Sequence, residues 1–239
     1  MRLDVLLGRN AGWSRTAARA VIAGGRVRIA GQVVEDPRRD LPADTLPFTV
    51  AVDDTELPLY DRVSLMLNKP TGCVTALRDP QHPTAYALLR SAPLHGELRP
   101  VGRLDLDTSG LLLWTTDSAQ IQRLTHPKRA VPRTYQAALA RAFAPPPAKL
   151  VLDDGHEPQV TALEALPRGA AHPSLQVPPE TVVLAAITIV GGAYHEVRRI
   201  FAALGSHVLG LCRVRFGDLE LPGDLAPGAF RLLPNEARK

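Results

Sequence analysis

The sequence predicts an α+β protein in which a small basic N-terminal domain precedes a larger domain built on a mainly antiparallel, mixed sheet. Beyond about residue 60, short apolar runs alternate with turn-forming residues, and this spacing is typical of antiparallel strands. Helical periodicity is confined to a few segments, and 22 prolines in 239 residues limit helix length further. We place the boundary between the two domains after residue 58, so the domains are 1–58 and 59–239.

The N-terminal domain is predicted to contain two helices followed by a hairpin. One helix is expected over residues 3–7. Ser14 suits the N-cap of a second helix, which runs to about residue 23 and ends at two glycines. Stretches 27–29 and 32–34 flank Ala30 and Gly31, which is a hairpin pattern. Residues 36–61 contain four prolines and several acidic side chains, so we expect a linker with one short strand at 48–52.

The larger domain is predicted to contain one clear helix among several strands. In residues 197–204, four apolar side chains share one helical face, and Gly205 ends the helix. Strands are predicted at 64–67, 111–115, 135–139, 182–190 and 208–216, and loops at 144–149 and 166–181.

Positive charge is concentrated at the N terminus. Residues 1–30 hold six arginines and one acidic residue, Asp4, whereas the whole chain carries a net charge of only +4. Such a segment favours phosphate contacts, although a solvated helix face is the other interpretation. With two cysteines, no zinc-like cluster and no apolar stretch long enough to cross a bilayer, we expect a soluble cytoplasmic protein without a metal ion.

Residues 101–117 have the pattern of an active-site loop. Asp105 and Asp107 lie in a polar segment directly before the apolar run 111–114. A carboxylate at the mouth of a buried strand is held rigidly and can act as nucleophile, acid or base. The alternative is a surface turn whose aspartates bond their own backbone. We expect Gly110 to allow the sharp turn into the strand.

The pattern Gly-Arg-Leu-Asp-x-x-Thr-x-Gly-Leu-Leu from Gly102 resembles the active-site motif of the pseudouridine synthases of bacterial ribosomal RNA. The N-terminal helices and hairpin, with Arg-Leu-Asp at 2–4 and Ser-Arg at 14–15, resemble a small RNA-binding domain named after a ribosomal small-subunit protein. The resemblance extends to about residue 230. Further segments that match in the family's order are Leu-Asn-Lys-Pro-Thr-Gly at 67–72, Asp79 with His-Pro-Thr at 82–84, Arg-Thr-Tyr at 133–135 and Gly-Ala-Tyr-His-Glu-Val-Arg-Arg at 192–199.

The resemblance implies an enzyme that isomerises uridine to pseudouridine in ribosomal RNA without a cofactor. Asp105 is then the catalytic carboxylate, which attacks the anomeric carbon or opens a glycal-like route; both remain open. Arg198 is its expected ionic partner, with Arg199 as the fallback. Tyr135 is expected to stack on the target base after that base has left the RNA stack.

The other predicted functional residues are expected to bind RNA. We expect Arg103 to contact phosphate or the flipped nucleotide, and Lys69 to shape the fold or contact phosphate. The family commonly has Gln where this chain has Glu196, and a basic residue where it has Ala193. A negative charge near phosphate is unfavourable, so both departures lower the expected RNA affinity of that turn. The full predicted RNA-binding set is Arg2, Arg15, Arg19, Arg26, Arg28, Lys69, Arg103, His195 and Arg199.

Three parts of the chain resemble the enzyme that acts on 16S ribosomal RNA: the segment at 57–60 before the catalytic domain, the segment at 79–84 and the compact C-terminal end. We predict the substrate from this resemblance. We therefore expect the protein to be a monomer that binds ribosomal RNA or a partly assembled small subunit. We do not expect it to bind a membrane. Alternatives are a 23S ribosomal RNA enzyme of the same family and a non-catalytic RNA-binding factor. A magnesium-dependent phosphohydrolase would use Asp105 and Asp107 differently, but Gly102 and Arg103 interrupt the hydrophobic strand that it requires.

Overall fold

The computed structural model describes residues 1–42 and 45–234, and the chain divides into two compact units. The first unit comprises Met1–Val63 together with Ser91–Leu98, and the second comprises Ser64–Arg90 and Arg99–Lys239. Within the described ranges, no helix has the length and apolar character needed to cross a membrane.

The first unit begins with two short helices, α1 (Leu3–Ala11) and α2 (Arg15–Ala23). Helix α1 runs four residues beyond its predicted end. The N-cap prediction for α2 is confirmed, because the Ser14 hydroxyl accepts a hydrogen bond from the backbone N–H of Ala17 at 3.2 Å. Gly12 adopts a left-handed conformation with φ of 69°, which lets the chain turn between the helices.

Four antiparallel strands complete this unit, in the order β2-β1-β3-β4. The predicted hairpin and the strand at 48–52 are confirmed, but the last strand lies in the segment predicted as linker. Its Pro58 lacks a backbone donor and is tolerated because the strand ends the sheet order. Residues 43–44 of that predicted linker lie outside the described residues. The strands are β1 (Val27–Ile29), β2 (Gln32–Val33), β3 (Phe48–Val52) and β4 (Thr55–Leu59).

Apolar side chains of both helices pack against one face of this sheet. Burial of each large aliphatic side chain contributes about 1.5–3 kcal/mol. Arg9 adds polar contacts within the unit, since its guanidinium donates to Glu97 Oε1 at 2.9 Å and to the carbonyl oxygen of Asp61 at 2.7 Å. The central buried residues are Leu3, Leu6, Leu7, Ala18, Ile22, Val27, Val50 and Leu59.

The second unit is a mixed sheet with the order β13-β5-β7-β11-β8-β10-β9, in which β6 also pairs with β7 and β12 with β11. Among the strand pairs of the described residues, β7 and β11 are parallel and the others are antiparallel. The elements are β5 (Ser64–Lys69), β6 (Arg99–Val101), β7 (Thr108–Thr115), α3 (Ser118–Thr125), β8 (Pro132–Leu139), β9 (Gln159–Leu166), β10 (Val183–Val190), α4 (Glu196–Ala203), β11 (Val208–Phe216), β12 (Leu219–Glu220) and β13 (Phe230–Leu232).

The α+β prediction is confirmed, and the five predicted strands and helix α4 are present within a few residues of their expected bounds. Helix α3 and strands β6, β9, β12 and β13 are additions to the prediction. Helix α3 has a side-chain cap, because Asp117 Oδ1 accepts from the N–H of Ala119 at 3.0 Å. Among the described residues, strand β9 pairs with β10 alone. Its residues are exposed or partly exposed along the whole strand, so it lacks the apolar run that marks the other strands.

The expected role of Gly110 was wrong. The turn into β7 closes earlier, where the N–H of Thr108 donates to the carbonyl oxygen of Asp105 at 3.2 Å, and Gly110 lies inside the strand with φ of 105°. It pairs in register with Arg213 of β11, and a Cβ at this position would approach the backbone N of Arg213 to 2.8 Å. Glycine is therefore required for the close approach of the parallel strands.

Candidate active site

The parallel pair of strands brings the two chemical motifs together. The loop with Asp105 leads into β7, and helix α4 leads into β11. Since parallel strands begin at the same edge of a sheet, the residues preceding them meet there. The next strand, β8, pairs with β11 on the other side and contributes Tyr135.

These elements line an open cavity of about 530 Å³. The exposed Arg103 lies at this cavity, as do His195 and Tyr194, whose rings stack with their centroids 3.8 Å apart. The charged and aromatic lining residues are Arg103, Asp105, Arg133, Tyr135, Tyr194, His195, Glu196, Arg198 and Arg213.

Asp105 faces this cavity with its side chain 39% exposed. Its Oδ2 lies 3.7 Å from Nε2 of His195, a distance that allows an ion pair when the ring is protonated. His195 itself adopts a left-handed backbone conformation with φ of 49°, just before α4. The carboxylate is thus open to a ligand and lies beside the His195 ring.

Lys69 holds the backbone of the Asp105 loop from beneath. Its ammonium group donates to the carbonyl oxygens of Pro70 at 3.0 Å, Asp105 at 2.9 Å and Thr108 at 2.8 Å. Burial lowers the pKa of Lys69, against the attraction of nearby acidic side chains. The residue is fully buried, so the prediction that it contacts RNA does not fit this structure, whereas the alternative role in shaping the fold does.

Arg198 contacts the other aspartate of the loop. Its Nη2 lies 2.9 Å from Oδ2 of Asp107, and its Nη1 donates to the carbonyl oxygen of Val208 at 3.3 Å. The expected ion pair with Asp105 is therefore replaced by one with Asp107. The reason is positional: the bond to Val208 fixes the guanidinium at the start of β11, beside the turn that enters β7.

Arg199, the fallback partner, points to a different segment. Its Nε donates to Asp153 Oδ1 at 2.8 Å, and its Nη2 lies 2.5 Å from Asp154 Oδ1. Hydrogen bonds to Asp154 and Asp153 raise the pKa of Arg199. The side chain thus ties α4 to the loop at 153–154.

Glu196 is turned inward. Its Oε2 accepts from the N–H of Ala193 at 3.0 Å, and its Oε1 lies 2.8 Å from Nε2 of His156. Only 3% of the side chain is exposed, so the expected repulsion of phosphate by this carboxylate does not fit the structure. The carboxylate instead braces the turn that presents His195.

Tyr135 lies in β8 directly opposite Arg213 of β11, and both line the cavity. Sequence reasoning missed Arg213 and its neighbour Arg133. Their guanidinium carbons lie 5.1 Å and 5.2 Å from the ring centroid of Phe216, and burial lowers the pKa of Arg133. The sequence did contain a signal for Arg213, because a charged residue there directly follows the uncharged stretch from Val208 to Cys212 within one strand.

In the N-terminal unit, three predicted RNA-binding arginines converge on one buried carboxylate. Arg2, Arg15 and Arg19 lie 2.9 Å, 3.0 Å and 2.7 Å from Oδ2 of Asp4. Burial alone raises the pKa of Asp4, but the hydrogen bonds from Arg19, Arg15 and Arg2 outweigh it and lower the value to about 2. Each arginine keeps a third or more of its side chain exposed.

The other two predicted arginines of this unit lie apart from Asp4. Arg26 pairs with Asp53 at 2.6 Å, and Arg28 lies exposed on β1.

The family profile described as RNA pseudouridylate synthase matches residues 63–203, and the S4 domain profile matches residues 1–44. Ribosomal small subunit pseudouridine synthase A of Escherichia coli K12 is 36% identical over 99% of this chain and 97% of its own length. An uncharacterized RNA pseudouridine synthase of Bacillus subtilis is 32% identical over 99% of this chain and 96% of its own length. A crystal structure of a pseudouridylate synthase, 30% identical, superimposes with a TM-score of 0.59 over 100% of this chain and 98% of its own.

Fold, motifs and comparisons together define an isomerase that acts on RNA. The chain belongs to the RNA pseudouridylate synthase family and carries an S4 domain at its N terminus.

Proposed function

We propose that this enzyme converts a uridine of small-subunit ribosomal RNA to pseudouridine, with Asp105 as the catalytic carboxylate. The substrate proposal is supported by the small-subunit enzymes of Escherichia coli and Pasteurella multocida, which are 36% and 34% identical over 99% of this chain. The catalytic proposal depends on one observation: Asp105 opens into the cavity, whereas Asp107 is paired with Arg198 and Glu196 is buried against Ala193 and His156.

The proposed reaction begins when the target nucleotide leaves the RNA stack, which costs a few kcal/mol. Tyr135 offsets part of that cost by stacking on the base, and Arg103 contacts the RNA near the cavity mouth. Asp105 then acts at the ribose, as nucleophile on C1′ or as base in a glycal-like route. The C1′–N1 bond breaks, the base turns, C5 bonds to C1′, and the C5 proton is exchanged for one on N1. No redox step occurs in this balance, and no cofactor enters it.

Arg198 takes a positioning role in this proposal. By holding Asp107 and Val208 it fixes the loop that carries Asp105. Lys69 supports the same loop through the carbonyl oxygens of Asp105 and Thr108. A displacement of about 1 Å in a reacting group costs on the order of 100-fold in rate, so such support matters.

RNA binding is assigned to residues 1–58 and catalysis to 59–239, with two additions to the RNA-binding part. Residues 59–63 and Ser91–Leu98 belong to the compact unit of the N-terminal residues, so the proposed RNA-binding part includes both segments. The arginines around Asp4, together with Arg26 and Arg28, form its proposed phosphate-binding surface. The proposed partner is ribosomal RNA or a partly assembled small subunit in the cytoplasm, bound by one copy of the chain.

The test is to map pseudouridine in both ribosomal RNAs of a deletion strain, complemented with the wild type or with Asp105→Asn. We expect one site in 16S ribosomal RNA to be lost and to return only with the wild type. Loss confined to 23S ribosomal RNA would contradict the substrate proposal. Recovery with Asp105→Asn would contradict the catalytic one.

A further inference from the structure

Arg213 is a buried cation in the wall of the catalytic cavity. The residue belongs to β11 and lines the cavity, but only 1% of its surface is exposed to solvent. Its Nε donates to the carbonyl oxygen of Leu111 at 2.8 Å, while its Nη2 is buried without a hydrogen-bond partner. No carboxylate in the described part of the chain pairs with it. Within the described residues the charge therefore has no ion-pair partner.

This arrangement is costly for the fold. Burial of a charge without a partner is strongly unfavourable, and arginine keeps its proton in proteins. A second guanidinium, that of Arg133, lies over the same Phe216 ring and adds repulsion. The ring face offsets only part of the cost. Since neighbouring positions of β11 are apolar, the fold alone gives no reason for a cation here, and such local conflicts are expected at functional sites.

The proposed reaction supplies a transient anion at this place. When the C1′–N1 bond breaks, the electron pair stays on N1, and the detached uracil carries a negative charge shared by N1 and both carbonyl oxygens. Attack by Asp105 on C1′ and the glycal-like route release the same anion. The charge disappears when C5 bonds to C1′ and N1 regains a proton, so the cation is needed only between these steps.

We propose that Arg213 stabilises the detached uracil anion and so acts as a further catalytic residue. Tyr135 and Arg213 are register partners on adjacent antiparallel strands, so their side chains share one face of the sheet. A base stacked on Tyr135 therefore lies beside the guanidinium. This inference rests on the proposed function. A bulky, hydrated RNA phosphate fits less well, because the residue is almost fully buried.

The experiment compares Arg213→Met and Arg213→Lys with the wild type under single-turnover conditions. The substrate is an RNA fragment with uridine or 5-fluorouridine at the target position. Fluorine withdraws electron density and makes the detached base a more stable anion. We expect Arg213→Met to slow conversion of uridine by about 10²–10³-fold, as for removal of a preorganised donor. 5-Fluorouridine has no C5 proton to lose and cannot become pseudouridine, so breakage of its C1′–N1 bond is followed as consumption of that nucleotide, and we expect this step to be slowed much less. Arg213→Lys keeps the charge and should lie between.

Arg215→Met is the matched control, because Arg215 lies on the same strand but is exposed and donates to its neighbour Gly217. Thermal unfolding and RNA affinity are measured for every variant. Equal losses on both substrates would overturn the proposal, and so would weaker RNA binding with a shallower salt dependence. If Arg213→Met does not fold, Arg213→Lys is used in its place. A rate loss that is larger on uridine than on 5-fluorouridine then supports the proposal, and equal losses overturn it. Failure of the proposed function is recognised separately. In that case the wild type forms no pseudouridine, or Asp105→Asn remains active.

Discussion

Arg198 pairs with Asp107 at 2.9 Å, whereas Asp105, two residues earlier in the same loop, lies 3.7 Å from His195. One aspartate is therefore compensated by a fixed guanidinium at the start of β11. The other opens into the cavity beside the His195 ring. Because the two carboxylates have different surroundings, we expect different effects on activity when each is replaced.

Asp105→Asn is expected to abolish pseudouridine formation while the fold and RNA affinity remain close to those of the wild type. An amide cannot act as nucleophile or base at the ribose. Single-turnover conversion of a ribosomal RNA fragment is the measurement, with circular dichroism and RNA titration as controls. Asp107→Asn is the matched variant and should retain substantial activity, because an amide oxygen can still accept a hydrogen bond from Arg198. Loss of activity only in Asp107→Asn would reverse the assignment.

Arg198→Ala should lower the single-turnover rate on the order of 10–100-fold, with RNA affinity little changed, because the loop loses its bond to α4. Arg199→Ala should leave that rate close to the wild-type value. Its partners, Asp153 and Asp154, are largely exposed, and pairs of this kind contribute little to stability. Rate constants and affinities for both variants provide the check. A larger rate loss in Arg199→Ala would move the positioning role to that residue.

The sequence allowed prediction of the elements whose pattern is local. Ser14 caps a helix through its own hydroxyl, and the apolar runs of β5, β8, β10 and β11 mark buried strands. Helix α3 and strand β9 were missed because neither has a strong apolar period. Only pairing with β10 makes β9 a strand, and this contact is invisible in the local sequence.

The site was predictable in its residues but not in its contacts. Motif order indicated Asp105, Tyr135 and Arg198 together, and the structure brings all three to one cavity. Which aspartate Arg198 contacts depends on where the bond to Val208 holds its guanidinium. The partnership of Glu196 with His156 joins residues 40 positions apart and likewise required the fold.

Glu196→Gln should fold and act almost as the wild type, whereas Glu196→Ala should destabilise the protein by about 1–3 kcal/mol. A glutamine can still accept from the N–H of Ala193 and bond to His156. Alanine leaves that backbone donor without its partner and frees the turn before His195. Urea unfolding and single-turnover rates of the two variants are compared. Equal stability of Glu196→Ala and wild type would show that the inward carboxylate does not brace the turn.

Arg15→Ala and Arg19→Ala should each weaken RNA binding and make its salt dependence shallower. A lost phosphate contact reduces the slope of log affinity against log salt by about 0.7–0.9. Point variants are preferred to a truncation at residue 58, because Arg9 and Ser91–Leu98 belong to one unit. Arg231→Ala is the control, since that exposed arginine pairs with Asp224 in the other unit. Unchanged slopes for both test variants would exclude these arginines from the RNA interface.

Asp4→Asn should destabilise the protein at neutral pH by about 2 kcal/mol, and the difference from the wild type should shrink in acid. Three arginines lower the pKa of the folded carboxyl from 3.8 to about 2. A depressed folded-state pKa stabilises the fold above the unfolded value of 3.8, and this contribution is lost as the pH falls through about 2. The measurement is denaturant unfolding of both proteins at pH 7, 4 and 3. The variant keeps the shape of the side chain and removes its charge, so a difference that does not change with pH would show that the ion pairs with Arg2, Arg15 and Arg19 do not account for the loss.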